Sequence, residues 1–362
     1  MRPDVLSTFQ LTSSTFPPFH FSTFPLLPLA VARSIPHIIS IAAICLGIGL
    51  FVVTLFYIDL EETLGSARRL GLALPLVLLP STAWQLIRTW GWAISFPDAA
   101  RPSFVRLFRV RLAADAISFF TVRGVAGEPL KVFLLLDRCA PQVTTAAVAL
   151  ERVAVAIMSI VIAGLISFFA VTRLTLPRWW NTFFGAITIV ALLMLPVLGF
   201  IARRRSGDYL GRMVTSFDRL TGRRLGTRRV VKFILDVEDI VLDLLRGDRR
   251  RIVILIWMPI VCYAVMAMEV WIVFWAIGQP IGLVEGLTIE TFARVGSIVA
   301  AAIPANIGAL EASNAAVVTM LGLTGGGSLA LARRVRALLW AAVGLAVYPK
   351  PSRSDRSTEV QQ

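Results

Sequence analysis

The run TTAAVALERVAVAIMSIVIAGLISFFAV, residues Thr144 to Val171, decides the class of fold. Its 28 residues carry two charges, Glu151 and Arg152, both near its start. An α-helix needs about 20 apolar residues to cross the hydrocarbon core of a bilayer, so this run reads as a transmembrane span. Working outward, five more runs read the same way. Ile38 to Ile58 is closed by the acidic stretch Asp59-Leu60-Glu61-Glu62. A second run, from about Gly71 to Phe96, carries Trp84, Trp90 and Trp92. Beyond the Thr144 run come Thr182 to Ile201 and Ile252 to Ile277, the latter with Glu269 inside it. The last, Ser328 to Val347, holds Arg333, Arg334 and Arg336 in its first half.

Composition agrees. Of 362 residues, 57% are hydrophobic and only 16% charged, and the mean hydropathy is +0.76. Soluble domains are about a quarter charged. The net charge of +14 rests on arginine. Beside such runs it points to loops facing anionic lipid and away from nucleic acid. Cys45, Cys139 and Cys262 are too widely spaced for a disulfide framework or a metal site. His20 and His37, the only histidines, precede the first span, so no His-ligated metal is expected. No cofactor is implied, and no Gly-x-x-x-x-Gly-Lys-Ser/Thr phosphate loop occurs.

Two apolar segments do not read as simple spans. Phe104 to Leu136 is interrupted by Arg123-Gly124-Val125-Ala126-Gly127-Glu128-Pro129, and Ile289 to Leu323 by Ile303-Pro304-Ala305-Asn306-Ile307-Gly308. Each half is too short to cross. A break at membrane depth is tolerated only where protein or a watery cavity satisfies the freed backbone. The breaks at Gly124, Gly127, Pro129, Pro304, Asn306 and Gly308 therefore predict two re-entrant helical hairpins. Loop charge gives the orientation. Residues 203–251 are +7 and are placed in the cytoplasm with segment 98–112, while 59–70, 173–181 and 278–288, at −1, +2 and −1, are placed outside. The expected fold is all-α integral membrane: six transmembrane helices plus two hairpins, as an inverted repeat of span, span, hairpin, span. Both termini fall in the cytoplasm of a bacterial inner membrane. Residues 38–348 form the membrane domain. Residues 1–37 read as a Phe/Pro-rich disordered tail or an over-extended gene start, and 349–362 as a short polar tail. Within 203–251, Leu210, Met213, Phe217 and Leu220, then Val230, Phe233, Val237, Ile240 and Leu244, keep helical spacing. They predict an amphipathic pair on the membrane surface, or a gate over a cavity mouth.

Ionisable groups inside spans are costly and become functional candidates by default. Arg111 and Asp115, four apart, can pair on one helix face. Glu128 stands at the start of a hairpin's second helix, where a carboxylate is favoured as a cap. Lys131 either neutralises Glu128 or offers a cation to a phosphate, and Arg123 faces the same choice. Adjacent Glu151 and Arg152 point apart, so each needs its own partner or a watery cavity. Arg294 before the second break and Glu311 after it mirror Arg123 and Glu128.

At these residues the chain resembles the flippase-like membrane family that includes the transmembrane half of lysylphosphatidylglycerol synthetase. The resemblance rests on Gly127-Glu128-Pro129-Leu130-Lys131, then Glu151-Arg152, then Ile303-Pro304-Ala305-Asn306-Ile307-Gly308-Ala309-Leu310-Glu311, in that order, across roughly residues 38–348. The last motif looks most like the subgroup associated with hopanoid biosynthesis. The resemblance implies movement of a lipid or lipid-linked group between leaflets. It does not imply aminoacyl transfer, because the chain stops about fifteen residues past the last span, with no soluble synthetase domain.

The expected function is thus an inner-membrane lipid translocator, with no catalytic residues. Its headgroup or cavity residues are Arg123, Glu128, Lys131, Glu151, Arg152, Arg294 and Glu311. Its partners are membrane lipids, with lipid-biosynthesis enzymes as a further class and no nucleic acid. The rival readings are a non-transporting partner of a lipid-synthesis complex and an integral membrane lipid-modifying enzyme.

Overall fold

The computed structural model describes residues 60–120, 127–203, 216, 229–300, 303 and 308–348. Among these the secondary structure is helical, with no strand. The helices are α1 (Leu60–Ile94), α2 (Phe104–Phe120), α3 (Gly127–Phe133), α4 (Pro141–Arg173) and α5 (Arg178–Arg203). Then come α6 (Arg229–Gly247), α7 (Arg249–Ala276), α8 (Leu283–Val299), α9 (Ala309–Met320) and α10 (Gly326–Ala346). A short 3-10 turn, Asp98–Ala100, joins α1 to α2. The expected first span Ile38–Ile58, the two tails, and Leu210, Met213, Phe217 and Leu220 lie outside the described residues.

Helix α4 realises the run that opened the reading. Pro141 stands in its first turn, where its missing N–H costs nothing, and Arg173 lies in its last. Among the described residues, three helices are long and apolar enough to cross a membrane: α4, α5 as far as Pro196, and α7. The second and last expected spans form α1 and α10. One boundary is corrected. Residues 59–70 were expected as an outside loop, but α1 begins at Leu60 and takes in Glu61 and Glu62. Glu, Leu and Arg are good helix formers, so the charged stretch continues the helix.

Both interrupted segments fold as helix, interruption, helix: α2 and α3 in the first, α8 and α9 in the second. Gly127 opens α3 because a Cβ there would lie 2.9 Å from the Ala114 carbonyl oxygen and Ser118 Cβ on α2. Gly308 precedes α9 with φ of 77°, the left-handed region that glycine enters without strain. Gly124, Pro304 and Asn306 lie outside the described residues, as does Arg123.

The packing has an internal exchange rule. Exchange α1, α2, α3 and α4 with α7, α8, α9 and α10, and each of the main helix–helix contacts within or between these two sets maps onto one that exists. Thus α1 packs on α2 and α7 on α8; α2 packs on α10 and α8 on α4; α1 packs on α10 and α7 on α4. The pair α1–α7 maps onto itself. One core gathers Val77 of α1 with Val270 and Phe274 of α7, Ile289 of α8, Val317 of α9 and Leu329 of α10. A second gathers Trp92 and Phe96 with Leu107, Val110, Leu135 and Ala147. Ile189, Val190, Leu192 and Leu193 of α5 face outward, as expected of a surface whose solvent is lipid. Helix α6 carries one half of the expected amphipathic pair. It lays Leu244, with Ile240, Val241 and Leu245 beside it, against Leu150 of α4 and Leu255 of α7.

Close approach of α2 and α10 depends on Gly344, where a Cβ would fall 2.2 Å from the Leu112 carbonyl oxygen and 2.8 Å from Ala116 Cβ. Overpacking of this kind costs about 1–3 kcal/mol. Gly344→Ala should therefore lower the melting temperature of the detergent-purified protein. Gly185→Ala, which meets nothing within 4 Å, should not. Equal melting of the two variants would contradict the packing.

Candidate functional site

Burying a lone arginine or carboxylate at the centre of a membrane helix costs about 2.5–3.5 kcal/mol even on the mildest scale. The core of this protein nevertheless holds Arg88, Arg111, Lys131, Glu151, Glu269, Glu290 and Arg333, none more than 7% exposed. They are accommodated by pairing. The pairs link into two chains of alternating sign, one in each packing set.

The first chain starts at Arg88 on α1, whose Nε donates to Glu151 Oε1 at 2.6 Å. Glu151 on α4 also faces Arg111 on α2 at 3.7 Å. Arg111 reaches Asp115 one turn along at 3.6 Å, the pairing that the spacing predicts. Asp115 lies 4.0 Å from Lys131 on α3, and Lys131 Nζ donates to both oxygens of Glu128 at 3.2 Å. Glu128 also accepts from Arg152 on α4. Glu151 and Arg152 do point apart, as adjacent helical residues must. Glu151 is buried, whereas the Arg152 side chain is 44% exposed. Trp84 lies against the chain, its ring centroid 5.4 Å from the Arg88 guanidinium and 5.6 Å from that of Arg111. Lys131 lies 5.6 Å from the Trp92 ring. Such placement offsets part of the desolvation of these cations.

The second chain has the same form. Arg336 on α10 donates to Glu269 Oε2 on α7, and Glu269 Oε1 lies 3.8 Å from Arg333 Nε. Arg333 Nη2 donates to Glu290 Oε2 on α8 at 2.5 Å, and its Nη1 donates to Asn314 Oδ1 on α9 at 2.9 Å. Glu290 Oε1 then accepts from Arg294 Nε at 2.7 Å, one turn along α8. Beside this chain, Glu311 at the start of α9 accepts from Arg334 on α10. Its second oxygen accepts the Gly308 backbone N–H at 2.9 Å.

The exchange rule that governs the helices therefore governs the charges. Glu128–Arg152 corresponds to Glu311–Arg334 with the signs kept. Arg88–Glu151–Arg111–Asp115 corresponds to Glu269–Arg333–Glu290–Arg294 with every sign reversed.

Of the residues singled out in the sequence, Glu128, Lys131, Glu151 and Arg152 come together in one network. Glu311 acts as a helix cap, the reading weighed for Glu128, and as an ion-pair partner as well. The Arg–break–Glu order does not make Arg294 and Glu311 an ion pair, and Arg123 lies outside the described residues. Glu311 takes its guanidinium from Arg334 on the following helix, and Arg294 pairs instead with Glu290 on its own. Arg88 and Glu290 were missed. Their signal was present, since each is a charge in an apolar run, but Glu151 lies 63 residues from Arg88 and Arg333 lies 43 from Glu290.

Residues 39–346 match the family model described as "Lysylphosphatidylglycerol synthase TM region". No curated protein and no solved structure matches the chain.

Removing one partner of a buried pair leaves an uncompensated charge and costs about 3–5 kcal/mol. Glu151→Gln, which strands Arg88 and leaves Arg111 only Asp115, should sharply lower thermal stability in detergent. Arg101→Gln breaks only the exposed pair with Asp98 and should change stability by less than about 1 kcal/mol. Comparable losses would show that burial does not set the worth of these pairs.

Proposed function

We propose that this chain, which belongs to the lysylphosphatidylglycerol synthase transmembrane-region family, moves a phospholipid or hopanoid-type lipid between the leaflets of a bacterial inner membrane. Membership of the family and the apolar helices make it a multi-pass membrane protein concerned with lipid. Translocation goes further, and one observation carries it. Arg152 sits twelve residues into an apolar membrane-crossing helix, yet its side chain is 44% exposed. A guanidinium open to hydrocarbon is too costly to keep, so the exposed side of Arg152 faces water or a polar headgroup.

In this reading α2–α3 and α8–α9 are re-entrant hairpins entering from opposite faces, and the six spans form two inverted units. The basic 203–251 segment and both termini lie in the cytoplasm. A headgroup enters at the Glu128–Arg152 end of the first chain while its acyl tails stay in the bilayer. Arginine suits a phosphate because its planar fork donates two hydrogen bonds together. Glu128 holds that fork in place. The lipid leaves with the covalent bonds it brought, so the protein acts as no enzyme, and membrane lipid is its partner. The reciprocal packing of the two helix sets supports two alternating arrangements, as in transporters built from repeats.

The test is reconstitution into liposomes with fluorescent phospholipid and hopanoid-like probes. The protein should raise leaflet exchange above that of empty vesicles. Glu128→Gln and Arg152→Gln, with folding checked by melting temperature, should each reduce exchange by about tenfold, the worth of one charge-assisted hydrogen bond. Exchange no faster than in empty vesicles, for both kinds of probe, would remove the translocator reading. Exchange unchanged in both variants would remove these two residues from the path.

A further inference from the structure

The second chain does not balance. Arg336, Arg333 and Arg294 alternate with only two carboxylates, Glu269 and Glu290, and each carboxylate is already divided between two guanidiniums. Among the described residues no other carboxylate lies within ion-pair distance of Arg294 or Arg336. The chain thus carries one positive charge in excess, as the first chain does with four cations against three carboxylates, in a body where an uncompensated charge is costly.

The excess has a preferred end. Arg294 is 28% exposed and Arg336 20% exposed, whereas Arg333 is buried. Arg294 engages Glu290 through Nε alone, so the fork formed by its two terminal nitrogens is not used in the chain. Its plane is also held. The guanidinium carbon lies 4.4 Å from the centroid of the Tyr263 ring, and the Tyr263 hydroxyl is hydrogen-bonded to Thr291, one turn before Arg294 on α8. A fixed, partly open guanidinium fork is the usual partner of a phosphate, which accepts two parallel N–H bonds. In the first chain the corresponding position is Asp115, a carboxylate already flanked by Arg111 and Lys131. At this position of the exchange the cationic fork therefore belongs to the second half alone, while the first half opens at Arg152.

We propose that the terminal nitrogens of Arg294 bind one monoanionic phosphodiester, with Tyr263 as the positioning residue that sets the guanidinium plane. One bound negative charge balances the five-membered chain; a zwitterionic headgroup with no net charge leaves it unbalanced. The preferred class is then a lipid of net charge −1, such as one with a phosphoglycerol headgroup. That the anion comes from a lipid rests on the translocator reading; a site for a monoanionic phosphate at Arg294 does not.

The test reads binding, so it stands apart from transport. The delipidated full chain in neutral detergent is given equal amounts of phosphatidylglycerol and phosphatidylcholine, and retained lipid is counted by native mass spectrometry. The wild type should hold one phosphatidylglycerol in preference to phosphatidylcholine by about tenfold. Arg294→Gln should bring the ratio near one, and Arg294→Lys, which keeps the charge but not the fork, should restore part of it. Melting curves confirm that each variant is folded; if Arg294→Gln does not fold, the wild-type ratio and Arg294→Lys carry the test. Equal retention of the two lipids by the wild type, or a preference unchanged in Arg294→Gln, would overturn the proposal. Adding inorganic phosphate distinguishes the sources, since loss of bound phosphatidylglycerol at equimolar phosphate would assign the same site to a soluble anion. Preference without leaflet exchange would sink the translocator reading and keep this site; exchange without preference would do the reverse.

Discussion

A charge inside a low-dielectric body must find an opposite charge, and this constraint organises the molecule. Glu151 is almost fully enclosed between Arg88 and Arg111, and Glu269 is fully enclosed beside Arg333 and Arg336. Neither carboxylate could sit where it does if α1, α2 and α4, or α7 and α10, were separated. The apolar cores give these helices their affinity for one another but specify their register loosely. The alternating pairs supply register, because a slip of one turn would leave several charges unpaired at once.

The relation between the two chains follows from the same physics. At Arg88–Glu151–Arg111–Asp115 and Glu269–Arg333–Glu290–Arg294, only complementarity matters, so the signs are free to reverse as a set. At the interruptions they are not free. Glu128 and Glu311 both lie in the first turn of a helix, where the helix dipole favours a negative side chain. Their partners, Arg152 and Arg334, must then be cations in both halves. One internal packing rule thus supports two electrostatic patterns: sign-conserved where a helix begins, and sign-reversed in the buried pairs away from helix starts.

Much of this was legible in the sequence. Run length located α4, α5, α7 and α10 within a few residues, because the bilayer fixes how long an apolar helix must be. Gly127 and Gly308 marked the starts of α3 and α9, because close approach to α2 at the first and a left-handed backbone at the second each need glycine. The start of α1 was missed because Glu61 and Glu62 signal polarity, and polarity does not end a helix of good helix formers. Local pairs such as Arg111–Asp115 could be read from spacing. Pairs between helices could not: nothing near Arg88 names Glu151, and nothing near Arg334 names Glu311. Partner choice depends on which helices cross, and that is decided by the whole fold. The partner of Arg294 is Glu290, four residues back on the same helix, a pair that spacing alone offers.

The central claim is that the charged network opens onto water or headgroups at Arg152 while the outward face of α4 at Leu165 meets lipid. The most direct measurement is thiol labelling in intact vesicles, on a background with Cys45, Cys139 and Cys262 replaced. A membrane-impermeant maleimide reacts with a thiolate, which forms only where the sulfur is hydrated. Arg152→Cys should react, and Leu165→Cys, whose outward-facing position is 55% exposed on the same helix, should not. An unreactive thiol at position 152, with the variant shown to be folded, would contradict the account.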